Sequence, residues 1–200
     1  MLDILKIGLK LLEMKLESSK KFYEEITQKF QEKKSILEKR YNEEEVSEES
    51  FEDIRDTIVD DYQEQADFEN LASMLIVSHD YFIFEHFLKL LAGNLLKKDG
   101  NFINDKYRKW DMPQIIKFFN KRGIYLEKIK GFQTCDVLRM LVNDIKHNGA
   151  RVSKKLAKAR DEILEDKEFR EIKEIKVSRH EVNKYSEAIR LFYGNLISSC

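Results

Sequence analysis

Arg139, Asn143, Lys146 and His147, in the segment RMLVNDIKHNG over 139–149, are the residues whose types and spacing are best suited to chemistry. At about 100° per residue of an α-helix, Asn143, Lys146 and His147 fall roughly +40°, −20° and +80° from Arg139, so the four side chains share one face. The opposite side carries Leu138, Leu141, Val142 and Ile145, an apolar stripe that suits burial. An imidazole exchanges protons near neutral pH, while a guanidinium and an ammonium stabilise phosphoryl charge, so the pattern predicts a phosphate-directed acid–base site. The same spacing also describes the solvated face of an ordinary amphipathic helix, and both readings stay open at this level.

The elements that must position these residues can be read along the chain. Phe132 or Thr134 begins the polar-faced helix and Gly149 caps its end, with His147 in the last turn, where the helix dipole favours positive charge. From Phe68 to Leu96 the chain is dense in apolar and aromatic residues and reads as the central core helix. Glu85 on that helix would orient Arg139 or His147 if the two helices pack together. His79, Glu85 and His86 also admit a metal-site reading, against a core helix with satisfied hydrogen bonds. Asp111 and Pro113 predict a helix start and Gly123 its end, and Ser178 with Glu181 has the spacing of a capping box. Between them, Ile172 to Val177 alternates like a short strand. Leu5, Leu9, Leu12 and Leu16 recur at helical spacing, and the pattern continues to about Tyr41 before the acidic break NEEEVSEES at 42–50. This divides the chain into an N-terminal helical arm over 1–45 and a helical domain over 46–200.

Composition sets the outer limits. With 42% hydrophobic and 36% charged residues among 200, the chain can form one real core under heavily charged surfaces. One proline and seven glycines leave long stretches without helix breakers. A net charge of −1 supplies no global field for nucleic acid, so any RNA binding must rest on a local basic patch. Asp3, Lys6, Lys10, Glu13 and Lys15 interrupt the apolar N-terminus, which argues against a membrane span. Cys135 and Cys200, without metal spacing, fit a reduced, cytoplasmic protein, with Cys135 read as a small buried residue rather than a nucleophile. No phosphate loop, zinc spacing or other cofactor or metal motif is present in the sequence.

The segment LRMLVNDIKHNG over 138–149 resembles the signature helix of the HEPN superfamily, whose pattern is Arg, a polar residue often Asn, several variable residues and then His. LIVSHDYFIFEHFL over 75–88 is similar to the family's earlier core helix, with its Tyr, aromatic run and Glu-His pair. The chain departs from the commoner motif at Val142, where Arg immediately precedes Asn, and so resembles a less common branch with Asn, two residues and then Lys-His. The resemblance implies a mostly α, HEPN-like helical bundle, here with a long N-terminal helical extension and a small β element near the C-terminus. It also implies a metal-independent endoribonuclease in a bacterial toxin, antiphage or stress system, with RNA as substrate and sites at a homodimer interface. His147 would be the acid–base group, Arg139 and Lys146 the phosphoryl-charge stabilisers, and Asn143 a positioning residue. The rival reading is a non-catalytic interaction or regulatory subunit, with a protein partner or antitoxin docking on the N-terminal helix.

Overall fold

A computed structural model describes residues 2–43, 48–99, 105–160 and 174–198. They form a mostly helical bundle of α1 (Leu2–Glu43), α2 (Glu48–Lys98), α3 (Met112–Asn120), α4 (Phe132–His147), α5 (Lys154–Ala159) and α6 (Arg179–Ser198), with 3-10 turns at Asp105–Lys109 and Leu126–Lys128. No described helix is long and apolar enough to cross a membrane.

The only proline, Pro113, sits at the start of α3, so nothing interrupts the two long helices that precede it. The 51-residue α2 is about 75 Å long at the usual rise. It runs unbroken from Glu48 through the apolar stretch 68–96, so the core helix read from the sequence is only its second half. On its packed side, Ile76, Val77, Phe84 and Leu88 meet Leu138 and Leu141 of α4 and Ile189, Phe192 and Leu196 of α6 in one core. Phe84 lies edge-on to Phe192 and Tyr193, at centroid distances of 5.3 and 5.9 Å, and the Tyr193 hydroxyl donates to the Phe84 carbonyl at 2.6 Å.

The N-terminal helix belongs to this core over part of its length. Leu12, Leu16, Ser19, Tyr23 and Thr27 recur at three- and four-residue spacing and are buried against α2 and α6. Gln65 Nε2 donates to the Phe30 carbonyl at 2.7 Å, and past that bond no described side chain of either helix is buried. The projecting part of the hairpin is therefore its tip, formed jointly by the end of α1 and the start of α2. The 1–45 boundary falls at that tip, and residues 44–47 lie outside the described residues.

Local signals set the other helix ends. Asp111 and Gln114 form a reciprocal capping box at α3, and Ser178 and Glu181 form one at α6. Gly131 opens α4 with φ +97°, and a Cβ there would lie 2.6 Å from the Ala188 carbonyl oxygen, so only glycine lets α4 start this close to α6.

The expected β element is not present among the described residues. Ile172 and Lys173 lie outside them, and a single isolated bridge joins Arg151 to Glu174. The alternation is nonetheless physical, since Ile175 and Val177 are buried around exposed Lys176. A side chain takes the place of a neighbouring strand: Asn70 Nδ2 donates to the Ile175 carbonyl at 3.0 Å, and the Val177 N–H donates to Asn70 Oδ1 at 2.9 Å.

Two measurements test this packing. Leu16→Ala should destabilise the protein by about 2–5 kcal/mol, the usual range for a buried leucine, in a denaturant titration; a loss near zero would make α1 an appendage throughout. Asp80 of α2 is inaccessible, with the Ser186 hydroxyl donating to its carboxylate, and burial raises its pKa above the ordinary 3.8. The folded state favours the neutral carboxyl, so stability from this group should decline as pH rises from 3.8 through the raised value. Asp80→Asn should flatten that decline in a pH series of thermal unfolding, leaving the variant the more stable form at neutral pH.

Candidate functional site

The candidate site lies on α4, whose inner face is held by Phe132, Cys135, Leu138, Leu141 and Val142, all buried. Its outer face carries Asn143, Lys146 and His147 exposed and Arg139 half-buried. Backing by the core fixes where these side chains start.

The four residues divide into two groups. Arg139 Nε donates to Asp136 Oδ1 at 2.7 Å, which turns the guanidinium toward the helix N-terminus. Tyr81 of α2 packs into this region, where burial first and the neighbouring Glu85 charge next push its phenol well above the usual range, with Arg139 opposing. Glu85 itself pairs with Lys89 at 2.8 Å. The second group is Asn143, Lys146 and His147, neighbours at three- and four-residue spacing. Arg139 and His147 are separated by about 12 Å of axial rise, so one chain does not close all four around a single phosphate.

The end of α4 is well fixed. The Asn148 N–H donates to the Asp144 carbonyl at 3.0 Å, and Gly149 and Ala150 turn the chain with φ of +60° and +55°. Asn148 Nδ2 donates to the Arg151 carbonyl at 2.9 Å, and the Ser153 N–H donates to Asp144 Oδ2 at 2.8 Å. Ser153 then caps α5, accepting from the Leu156 N–H at 3.2 Å. The turn brings α5, with exposed Lys154, Lys155 and Lys158, against the end of α4 that bears Lys146 and His147. Exposed lysines on both helices concentrate positive charge at this end of the bundle on a chain of nearly zero net charge, the kind of local charge a polyanion would need.

The remaining candidates separate from this surface. His86 stacks on Phe82, with ring centroids 5.8 Å apart, and its pKa is lowered by partial burial and by the cations Lys15, Lys89 and Arg108. Among the described residues no three His, Cys, Asp or Glu side chains group to hold a metal ion, so His79, Glu85 and His86 do not converge. Cys135 is buried and its thiol is pushed far up by burial, which makes it a poor nucleophile. Asp136 was readable in the sequence only as an acid three residues before Arg139; the closeness of Tyr81 crosses from another helix and had no spacing signal.

Comparison with protein-family models, curated proteins and solved structures gives no match to this chain.

The turn after α4 supplies a test of how firmly the basic end is held. Asp144→Ala should cost about 1–3 kcal/mol, since it leaves the Ser153 N–H without its charged acceptor. Hydrogen exchange at that amide should quicken by more than the global loss of stability accounts for. Unchanged exchange would mean that α5 is held by its apolar contacts alone.

Proposed function

We propose that this chain is a metal-independent endoribonuclease of the HEPN type, acting on RNA in a bacterial toxin, antiphage defence or stress system. The observation that supports it best is the exposed Asn143, Lys146 and His147 set at the basic end of a core-backed helix. In this reading His147 takes the proton from an RNA 2′-hydroxyl as its oxygen attacks the adjacent phosphorus. The bond from phosphorus to the 5′-oxygen breaks and that oxygen takes a proton from the His147 imidazolium so formed or from water, leaving a 2′,3′-cyclic phosphate and a 5′-hydroxyl. Lys146 would stabilise the phosphorane charge and Asn143 would orient the phosphate or the imidazole. Arg139, held by Asp136 about two turns away, would serve a neighbouring phosphate or the site of a second copy.

A second reading, a non-catalytic interaction or regulatory subunit, is favoured by Val142. That side chain is fully buried, so the position before Asn143 offers no cation to the outer face. Lys146 is then the nearest fixed cation to Asn143 on α4, and an ammonium lacks the planar fork that grips a phosphate at two points.

The deciding experiment is RNA cleavage in EDTA. Wild type should cleave, and His147→Ala should lose about 10²-fold or more of the rate, the usual contribution of positioned proton transfer, with unfolding unchanged. Lys146→Ala should fall while Lys146→Arg recovers. Activity abolished by chelation would overturn the metal-independent mechanism, His147→Ala cleaving several RNAs as well as wild type would overturn the role of His147, and a wild type that cleaves no RNA would leave the interaction-subunit reading in its place.

A further inference from the structure

The hairpin of α1 and α2 carries an apolar surface that no described part of the chain covers. On α2, Phe68, Leu71, Leu75 and Phe82 are 57%, 51%, 63% and 58% exposed, although each is a large hydrophobic residue. They span about 60° of the helix, and Phe68, Leu75 and Phe82 repeat every seven residues. On α1, Leu11, Met14 and Phe22 are similarly exposed. The two sets lie on one side of the hairpin. Arg190 of α6 pairs with Glu17, which places α6 on one flank of α1, whereas Lys15 on the other flank acts on His86, the ring that stacks on Phe82. At the far end Phe30 meets Phe68 edge-on at 5.5 Å.

The size of this surface is informative. Seven side chains, each about half exposed, present on the order of 600–700 Å² of apolar area, at or above the largest patch of an ordinary monomer. A standard interface needs about 800 Å² from each partner. The seven-residue repeat points to a helix as the occupant, and the charges at its two ends point to which one. Asp61 and Glu64 precede the stripe; Lys89, which also pairs with Glu85 of its own helix, and the His86 imidazole, whose pKa is lowered, follow it. If a second α2 is laid antiparallel with Leu75 opposite Leu75, Phe68 falls opposite Phe82, Glu64 opposite His86 and Asp61 opposite Lys89. A parallel arrangement would oppose like charges instead.

We propose that two copies of this chain pair through the outer face of the hairpin, with their α2 helices antiparallel about a two-fold axis at Leu75. Such an interface is isologous, so every contact is made twice. It uses a face of α2 other than the one packed on α4, and leaves Asn143, Lys146 and His147 open. The pairing does not depend on the ribonuclease reading.

Sedimentation equilibrium over a concentration series of the full chain tests it. Wild type should be dimeric at about 10 μM, and Leu75→Glu, a change at a solvent-exposed site, should raise the dissociation constant by about 10²-fold or more because it acts twice. Asp61→Lys and Lys89→Glu should each weaken the dimer, and the two together should restore it. In a Cys200→Ser background, Leu75→Cys should form a disulfide-linked dimer under mild oxidation, while Leu191→Cys, exposed on α6, should not. A wild-type chain monomeric at about 100 μM would overturn the proposal, including one that instead binds a vesicle or another protein through this face. So would a dimer indifferent to Leu75→Glu; loss of that dimer in Arg139→Glu would assign it to α4.

Discussion

Everything in this molecule depends on how the sides of α2 are covered. The helix packs against α1, α3, α4 and α6, and the Phe84–Phe192–Tyr193 cluster ties it to the C-terminal helix far away in sequence. The Tyr193 hydroxyl, buried in that cluster, is satisfied by the Phe84 carbonyl, so burial of aromatic area carries no unpaired polar atom with it. α4 can present a polar outer face only because its inner face is fixed by this arrangement. The outer stripe on α2 is the side that the described helices leave open, and it is as apolar as a side meant to be covered.

The sequence made the helix ends and inner faces legible because those signals are local. Asp111 with Pro113, Ser178 with Glu181, and Gly149 after His147 each act within one turn, and the structure starts α3 and α6 and ends α4 where the spacing predicts. What stayed hidden depends on contacts between distant segments. The alternation at Ile175 and Val177 reads as a strand, but beyond one backbone bond from the Ile175 N–H to the Ala150 carbonyl its partner is the Asn70 side chain, about a hundred residues earlier. The apolar density of 68–96 reads as a helix of its own, yet 63–67 holds no proline or glycine and α2 continues through it, with Gln63 bonded to Asp67 one turn on. Met1 to Tyr41 reads as an arm because each helical turn offers only one or two core residues. The burial of Leu12, Leu16 and Tyr23 needs α2 and α6 in place before it can be seen.

The candidate site was legible to the same degree. Helical spacing put Arg139, Asn143, Lys146 and His147 on one face, and the structure keeps that face outward. Spacing along one helix carries no information on which way a long side chain leans. Asp136 decides that for Arg139, and Lys89 decides it for Glu85, so the carboxylate expected to orient the site is paired within its own helix. The basic surface beside His147 comes from a hydrogen-bonded turn that brings α5 against α4, and composition alone averages it away into a net charge of −1.

Val142 sharpens what chemistry this face can support. It lies about 100° around the helix from Asn143, among Leu138, Leu141 and the rest of the core, and is wholly inaccessible. A guanidinium at that position would have to leave the core by its long stem or remain buried without a partner, which costs several kcal/mol. The apolar residue there is therefore the one that suits this bundle, and cationic help for the imidazole has to come from the outer face. In the ribonuclease reading Lys146, next to His147 in sequence, would provide it as a point charge, while Arg139 is paired with Asp136 two turns away. A phosphoryl site built this way rests on electrostatic attraction more than on bidentate geometry, so its binding should weaken steeply with added salt.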